Sequence, residues 1–239
     1  MITLAVDTSE ARGSVAIRAG GELAALRRHN IAENYSSWLP SAVEAVLREV
    51  GVGLPQVDVL AAATGPGSFT GVRVGLTAVK AWSEVFGKPI VGISRLEAVA
   101  RRARSEQGWV TASYDAQRGQ IFGAMYRRKE GKLERVDDEL VVAPDIFLTM
   151  VEGRAGAEPV GWVSLDPEIF ARLEGWRKRE QIGDLLQTCE GDLAITIAEM
   201  AEERAGRNEF TDVLQLDANY VRRSDAEIFW KGSSSRAKG

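Results

Sequence analysis

Two short segments carry the residue types that handle phosphates and divalent cations. Asp7-Thr8-Ser9 closes an apolar run. A carboxylate at the end of a buried strand can hold Mg²⁺ through water while neighbouring hydroxyls approach a phosphate. The same tripeptide can instead cap the strand end as an Asx/ST turn. Gly65-Pro66-Gly67-Ser68-Phe69-Thr70-Gly71 separates another apolar run from a helical pattern. Backbone N–H groups and the positive end of a helix dipole there favour an anion. The string lacks the Lys-Ser/Thr pair of a P-loop and the spacing of Gly-x-Gly-x-x-Gly. Its alternative role is a tight strand-to-helix turn with Ser68 or Thr70 as N-cap.

Inventory limits other chemistry. The chain of 239 residues has one histidine and one cysteine, so no His₂, His₃, Cys₄ or Cys₂His₂ zinc site can be built from it. A Ser-His-Asp relay would have to run through His29. That residue ends a strand-like segment beside Arg27 and Arg28, with no serine-elbow motif in the chain, and reads as a plain surface histidine. Cys189 alone excludes an intrachain disulfide and favours a reducing compartment, which points to the cytoplasm. A net charge of −4 excludes the whole chain as a polyanion grip. The clusters Arg101-Arg102-x-Arg104, Arg127-Arg128-Lys129 and Arg177-Lys178-Arg179 read as solvated faces or turns. No apolar run approaches the roughly 18 residues of a membrane span. Met1-Ile2-Thr3-Leu4 reads as a strand rather than a secretory signal.

The elements that must position these segments follow from periodicity. Ile2–Val6 is a buried strand. Gly13–Arg18 and Glu22–Arg28 pair around Gly20-Gly21 to complete an antiparallel meander. Asn34–Val50 carries Leu39, Val43, Val46, Leu47 and Val50 at helical spacing, with Pro40 either in its first turn or at a kink. Val57–Thr64 and Pro89–Ile93 read as buried strands, and Val72–Phe86 and Arg95–Ser105 as helices. The pattern then restarts at about 110 residues' offset: Val110–Tyr114 is closed by Asp115, Gly119 opens a second strand, and Gly131-Lys132-Leu133 echoes Gly21-Glu22-Leu23. The repeat is read as a degenerate duplication. Beyond Arg135 the sequence predicts a short helix at 166–173, an amphipathic helix at 193–205, an extended loop at 208–218 and a disordered tail at 231–239.

Val72–Phe86 is apolar on two sides. Val72, Leu76, Val79, Trp82 and Phe86 form one stripe; Val74, Ala78, Ala81 and Val85 form a second. Together they cover on the order of 200° of the circumference, against the ~100° needed on one sheet. The second stripe meets either another helix of this chain or a partner protein.

Gly65-Pro-Gly-Ser-Phe-Thr-Gly-Val-Arg-Val-Gly-Leu76 resembles the signature of the TsaB (YeaZ) family. Leu4–Ser9, the segment Pro89–Glu97 and the closing Asn219–Glu227 agree with it, and the likeness is strong over residues 1–127 and 219–227. The resemblance implies an α/β chain of the actin/Hsp70/sugar-kinase (RNase H-like) fold, two duplicated lobes with mixed sheets flanked by helices. Here these correspond to residues 1–106, bearing the partner-binding helices, and a degenerate lobe at 107–230. It implies a role in forming N6-threonylcarbamoyladenosine at position 37 of tRNAs reading codons that start with A, as the non-catalytic partner of the paralogue TsaD, beside the ATPase TsaE. ATP, Mg²⁺ and threonylcarbamoyl adenylate are then expected at the partner subunits, with none bound tightly here, and tRNA is contacted indirectly. The catalytic paralogue's His-x-x-x-His pair matches Arg95 and Val99, which cannot form that metal site. The family's pairing surface is built from the first two helices, which assigns Leu39, Val43, Val74, Ala78, Ala81 and Val85 to the interface and makes a homodimer through the same face the fallback. The competing readings are a small-molecule kinase or ATPase using Asp7 and the glycine loop, and a metalloprotease, which the ligand inventory opposes.

Overall fold

The computed structural model describes residues 1–221. The expected tail at 231–239 and the last part of the closing motif lie outside the described residues. The first sheet runs β3-β2-β1-β4-β5, with β1 (Ile2–Asp7), β2 (Ser14–Ala19), β3 (Glu22–Arg28), β4 (Val59–Ala63) and β5 (Ile90–Ile93). β1 pairs antiparallel with β2 and parallel with β4. Its two faces differ in size. Leu4, Val6, Val15, Ile17 and Leu60 point to one side, and α1 (Tyr35–Val50) and α2 (Phe69–Phe86) cover them. Ala5, Ala16, Ala61 and Ala63 point to the other. These small residues let α7 (Ala194–Gly206) approach through its own Ala194, Ala198 and Ala201.

The second sheet repeats this order as β8-β7-β6-β10-β11: β6 (Trp109–Gln117), β7 (Gln120–Lys129), β8 (Lys132–Arg135), β10 (Val160–Ser164) and β11 (Leu185–Thr188). The short β9 (Leu140–Val142) pairs with β7. Phe147 of α4 (Pro144–Ala155), Phe170 of α5 (Glu168–Ala171) and Trp176 of α6 (Trp176–Ile182) pack with Trp162 on its outer face. α3 (Arg95–Arg101) lies on its inner face. The helix after each half thus crosses to the other sheet, α3 to the second and α7 to the first. The layer between the sheets is one continuous core.

The meander and the three helices of the first half follow the sequence reading closely. Pro40 sits inside α1 at its sixth residue; it is exposed, so the carbonyl it leaves unpaired one turn earlier can reach water. α2 begins at Phe69, capped by Ser68, whose hydroxyl accepts the Gly71 N–H at 3.3 Å. α3 stops at Arg101, short of the expected Ser105. The chain turns there, and Gln187 of β11 donates its amide to the Arg102 carbonyl. The segment after α7 is extended only in part: Thr211 bridges to Ile90, but residues 213–215 form a turn in which the Gln215 and Leu216 N–H groups donate to the Asp212 carbonyl at 3.0 and 2.8 Å.

Candidate functional site

A cleft of about 440 Å³ lies between the sheets, lined by Ser9 and Glu10 just after β1 and by Tyr114 and Asp115 near the end of β6, with the glycine loop as one wall and Asn219–Val221 as another; Asp7, which ends β1, is buried beneath Ser9 and Glu10. At its floor the Asp7 carboxylate accepts the Ser9 N–H at 2.9 Å on one oxygen and Arg95 Nε at 3.0 Å on the other. Arg95 is fully buried, pairs with Glu10 at 2.9 Å and lies 4.5 Å from the Tyr114 ring centroid. Burial alone would lower its pKa; Asp7, Tyr114 and Glu10 outweigh that and hold it well above the ordinary arginine range. A divalent cation does not fit this carboxylate, because both oxygens are engaged and its counter-charge is a resident guanidinium. Arg12 extends the network across the lobes, to Glu10 at 2.8 Å, the Leu165 carbonyl at 3.0 Å and Asp166 at 3.1 Å. Tyr114 of the second sheet donates its hydroxyl to the Pro66 carbonyl at 2.7 Å.

The glycine loop is docked onto the β1 turn rather than opened toward a ligand. A Cβ at Gly67 would stand 2.2 Å from the Ser9 carbonyl oxygen, one at Gly71 would stand 2.1 Å from that of Thr8, and one at Gly75 would stand 2.5 Å from Thr8 Oγ1. The Ser68 N–H donates to the Ser9 carbonyl at 2.7 Å, and the Thr8 hydroxyl to the Gly71 carbonyl at 2.7 Å. Glycines four residues apart therefore let the first turns of α2 lie against Thr8 and Ser9. Among the turn residues Asp7, Thr8, Ser9, Gly65, Gly67, Ser68, Thr70 and Gly71, the side chains of Asp7, Thr8 and Ser68 are engaged within the chain, and Gly67 and Gly71 are filled by its backbone.

The residues assigned to the partner surface divide. Leu39 and Val43 are 1% and 3% exposed and pack in the core under α1. Their assignment to the interface is corrected: they face the sheet, and the helix turns Ser37, Pro40, Ser41 and Glu44 outward. Val74 and Ala78 are half-buried against the α1–α2 core, Ala81 is exposed, and Val85 is 72% exposed. The second stripe of α2 is thus sealed at its N-terminal end and open at its C-terminal end.

His29 is half-buried, with its ring nitrogens 2.9 and 2.8 Å from the carbonyls of Ala11 and Glu33, stacked on Tyr35. Neither ring nitrogen faces a hydroxyl nucleophile. Most of the basic residues are paired: Arg101 with Glu203, Arg127 with Glu158, Lys129 with Glu134. Arg179 departs from the surface reading: it is 1% exposed and grips both oxygens of Asp184 at 2.7 and 3.0 Å, beside the Trp162 indole N–H. Sequence reasoning also missed Glu139. Its buried carboxylate accepts the Ser94 hydroxyl and the Asn219 amide, tying the C-terminal segment to α3. Only the neighbouring motif residues Ser94 and Asn219 signalled that contact. Among the described residues no group of His, Cys, Asp and Glu is placed to hold a metal ion, and no helix is long and apolar enough to cross a membrane.

Two sheets of one strand order, facing each other across a cleft with crossing helices, define the class: the actin-like ATPase and sugar-kinase fold. The ROK hexokinase of Thermus thermophilus shares it at a TM-score of 0.51 and 13% identity, over 86% of this chain and 100% of that one. The family model described as TsaD, tRNA N6-adenosine threonylcarbamoyltransferase, matches residues 29–158, just over half of the chain. The Haemophilus influenzae tRNA threonylcarbamoyladenosine biosynthesis protein TsaB is 34% identical over 95% of both chains. A crystal structure from Pseudomonas aeruginosa, titled as an uncharacterized protein with similarity to peptidase YeaZ, superposes with a TM-score of 0.72 at 25% identity, over 92% of this chain and 99% of that one. The chain belongs to the TsaB (YeaZ) family.

Proposed function

We propose that this chain is a non-catalytic partner subunit in the formation of N6-threonylcarbamoyladenosine at position 37 of tRNAs reading codons that begin with A, and that it binds and organises the catalytic paralogue TsaD. The observation that carries the reading is the open flank of α2: Ala81 and Val85 stand exposed on a helix whose other stripe is already sealed against the sheet. A helix-on-helix contact centred there would bury about 800 Å² per partner. The Arg95–Asp7 pair supports the non-catalytic half of the proposal, since the cation that a phosphoryl-transfer site would place on Asp7 is replaced by a fixed side chain. In this reading ATP with Mg²⁺ and the threonylcarbamoyl adenylate reside on TsaD and the ATPase TsaE, tRNA is reached through the assembly in the cytoplasm, and the α2 flank self-pairs into a homodimer when TsaD is absent.

The test is co-purification with TsaD. Val85→Asp and Ala81→Asp, both on the open end of the stripe, should each abolish it while the circular dichroism spectrum stays native. A complex that survives both charges removes the interface, and with it the proposal. Calorimetry of the isolated chain with Mg-ATP separates the kinase reading, which requires micromolar binding with turnover.

A further inference from the structure

On the side away from the interlobe cleft, α3, α7, the segment after α7 and the β7–β8 hairpin enclose a second cavity of about 480 Å³. Its ionic groups leave a remainder. Arg204 holds both oxygens of Glu97 at 2.7 and 2.8 Å. Arg207 holds both oxygens of Glu209 at 2.8 and 2.9 Å, and Arg101 pairs with Glu203. Every acidic side chain in the lining thus has its own arginine. Lys132 at the rim makes no hydrogen bond or ion pair among the described residues; it faces Glu209, whose oxygens Arg207 already occupies. At the base lies Tyr126, 1% exposed, with a buried hydroxyl that has no hydrogen-bond partner. Burial first, then Glu139 and Glu97, raises the pKa of that phenol well above its ordinary value, so it remains a donor. A buried donor without an acceptor is costly, and the Tyr126 ring is otherwise packed in the interlobe core.

The geometry points to a binding site for a compact oxyanion, a phosphate or a carboxylate, held between the Tyr126 hydroxyl and the Lys132 ammonium. One acceptor carrying negative charge is what the lining lacks, and the cavity has room for the body of a small organic acid or phosphate ester. The site is separate from the α2 flank and from the Asp7 cleft, so it stands or falls independently of the partner-subunit reading.

The experiment is an amide NMR titration of the full chain with inorganic phosphate and, in a separate arm, with succinate. Saturable shifts clustered on Ala100, Lys132 and Glu203 in either arm support the site, and the arm that saturates first tells phosphate from carboxylate. Tyr126→Phe keeps the ring and removes only the donor. It should weaken binding roughly tenfold to a hundredfold, as a lost hydrogen bond to a charged group does, while leaving the melting temperature unchanged or higher. Lys132→Gln should weaken binding similarly, and Lys129→Gln, on the same hairpin but paired with Glu134 outside the cavity, should not. Shifts that fail to saturate in both arms, affinities indifferent to Tyr126→Phe and Lys132→Gln, or a clear drop in melting temperature in Tyr126→Phe would each overturn the assignment.

Discussion

Arg95→Met tests whether the floor of the cleft is a fixed electrostatic clasp. The substitution preserves most of the side-chain volume and removes the guanidinium that sits 3.0 Å from Asp7 and 2.9 Å from Glu10. Asp7 is fully buried and keeps only the Ser9 N–H. Glu10 is partly exposed and can turn to water, so the uncompensated charge is essentially one buried carboxylate. Removing one partner of a buried pair costs about 3–5 kcal/mol. In a chain of this size that lowers the melting temperature by roughly 6–20 °C. Arg95→Lys retains the charge and loses the fork and the stacking on Tyr114, so it should fall between the two. Adding Asp7→Asn to Arg95→Met should recover about 1–3 kcal/mol, the coupling of two groups in contact. Urea unfolding followed by tryptophan fluorescence reads all three values. If Arg95→Met unfolds within about 1 kcal/mol of the wild type, the clasp contributes nothing and the reasoning fails.

Gly71→Ala places a methyl 2.1 Å from the Thr8 carbonyl, so it should destabilise by about 3 kcal/mol or more; a melting temperature equal to that of the wild type would mean the loop is not docked as described. Glu139 titrates with a defined sign. Burial raises its carboxyl above the ordinary range against the opposing hydrogen bond from Ser94, the charge of Arg135 and the hydrogen bond from Asn219. Between the ordinary and the raised value the folded chain binds more protons than the unfolded one, so this group's contribution to stability falls as pH rises through that window. Melting curves against pH should therefore show wild type losing ground to Glu139→Gln as pH rises, and the opposite trend would contradict the assignment. Cys189 is buried, and burial raises its thiol pKa. Its reaction with a disulfide reagent should accordingly track global unfolding; rapid native-state labelling would refute that.

The first half of the fold was legible because its elements follow simple periods. The apolar run of β1, the alternation of β2, the Gly20-Gly21 turn and the two-sided apolar pattern of α2 each identified an element that the structure contains. The duplication was legible in Asp7 and Asp115, which lie at or near the end of the corresponding central strand of two identically ordered sheets. Most of the region from 136 to 188 was not. β10 is only five residues long with a glycine inside it, and α4 spreads Ile146, Phe147, Leu148, Met150 and Val151 around its circumference instead of along one stripe. The glycine signature was recognisable, but its physical meaning was not: a string of glycines does not say whether a phosphate or the chain's own backbone fills the space, and here Ser9 and Thr8 fill it. Leu39 and Val43 show a related limit. Helical spacing places them on one stripe, and only the packed sheet decides that the stripe faces inward. Arg95 and Glu139 were invisible as site residues because their partners lie 88 and 80 positions away.

Reconstituted modification of tRNA tests the central claim most directly. Purified TsaD, TsaE, unmodified tRNA, threonylcarbamoyl adenylate as the group donor and Mg-ATP are combined with the wild-type chain, with Val85→Asp, or with no addition, and N6-threonylcarbamoyladenosine is quantified by mass spectrometry of nucleosides. Product should form with the wild type and fall to the level without the chain for a folded Val85→Asp. Full product formation with Val85→Asp would contradict the claim that this flank of α2 is where the chain acts.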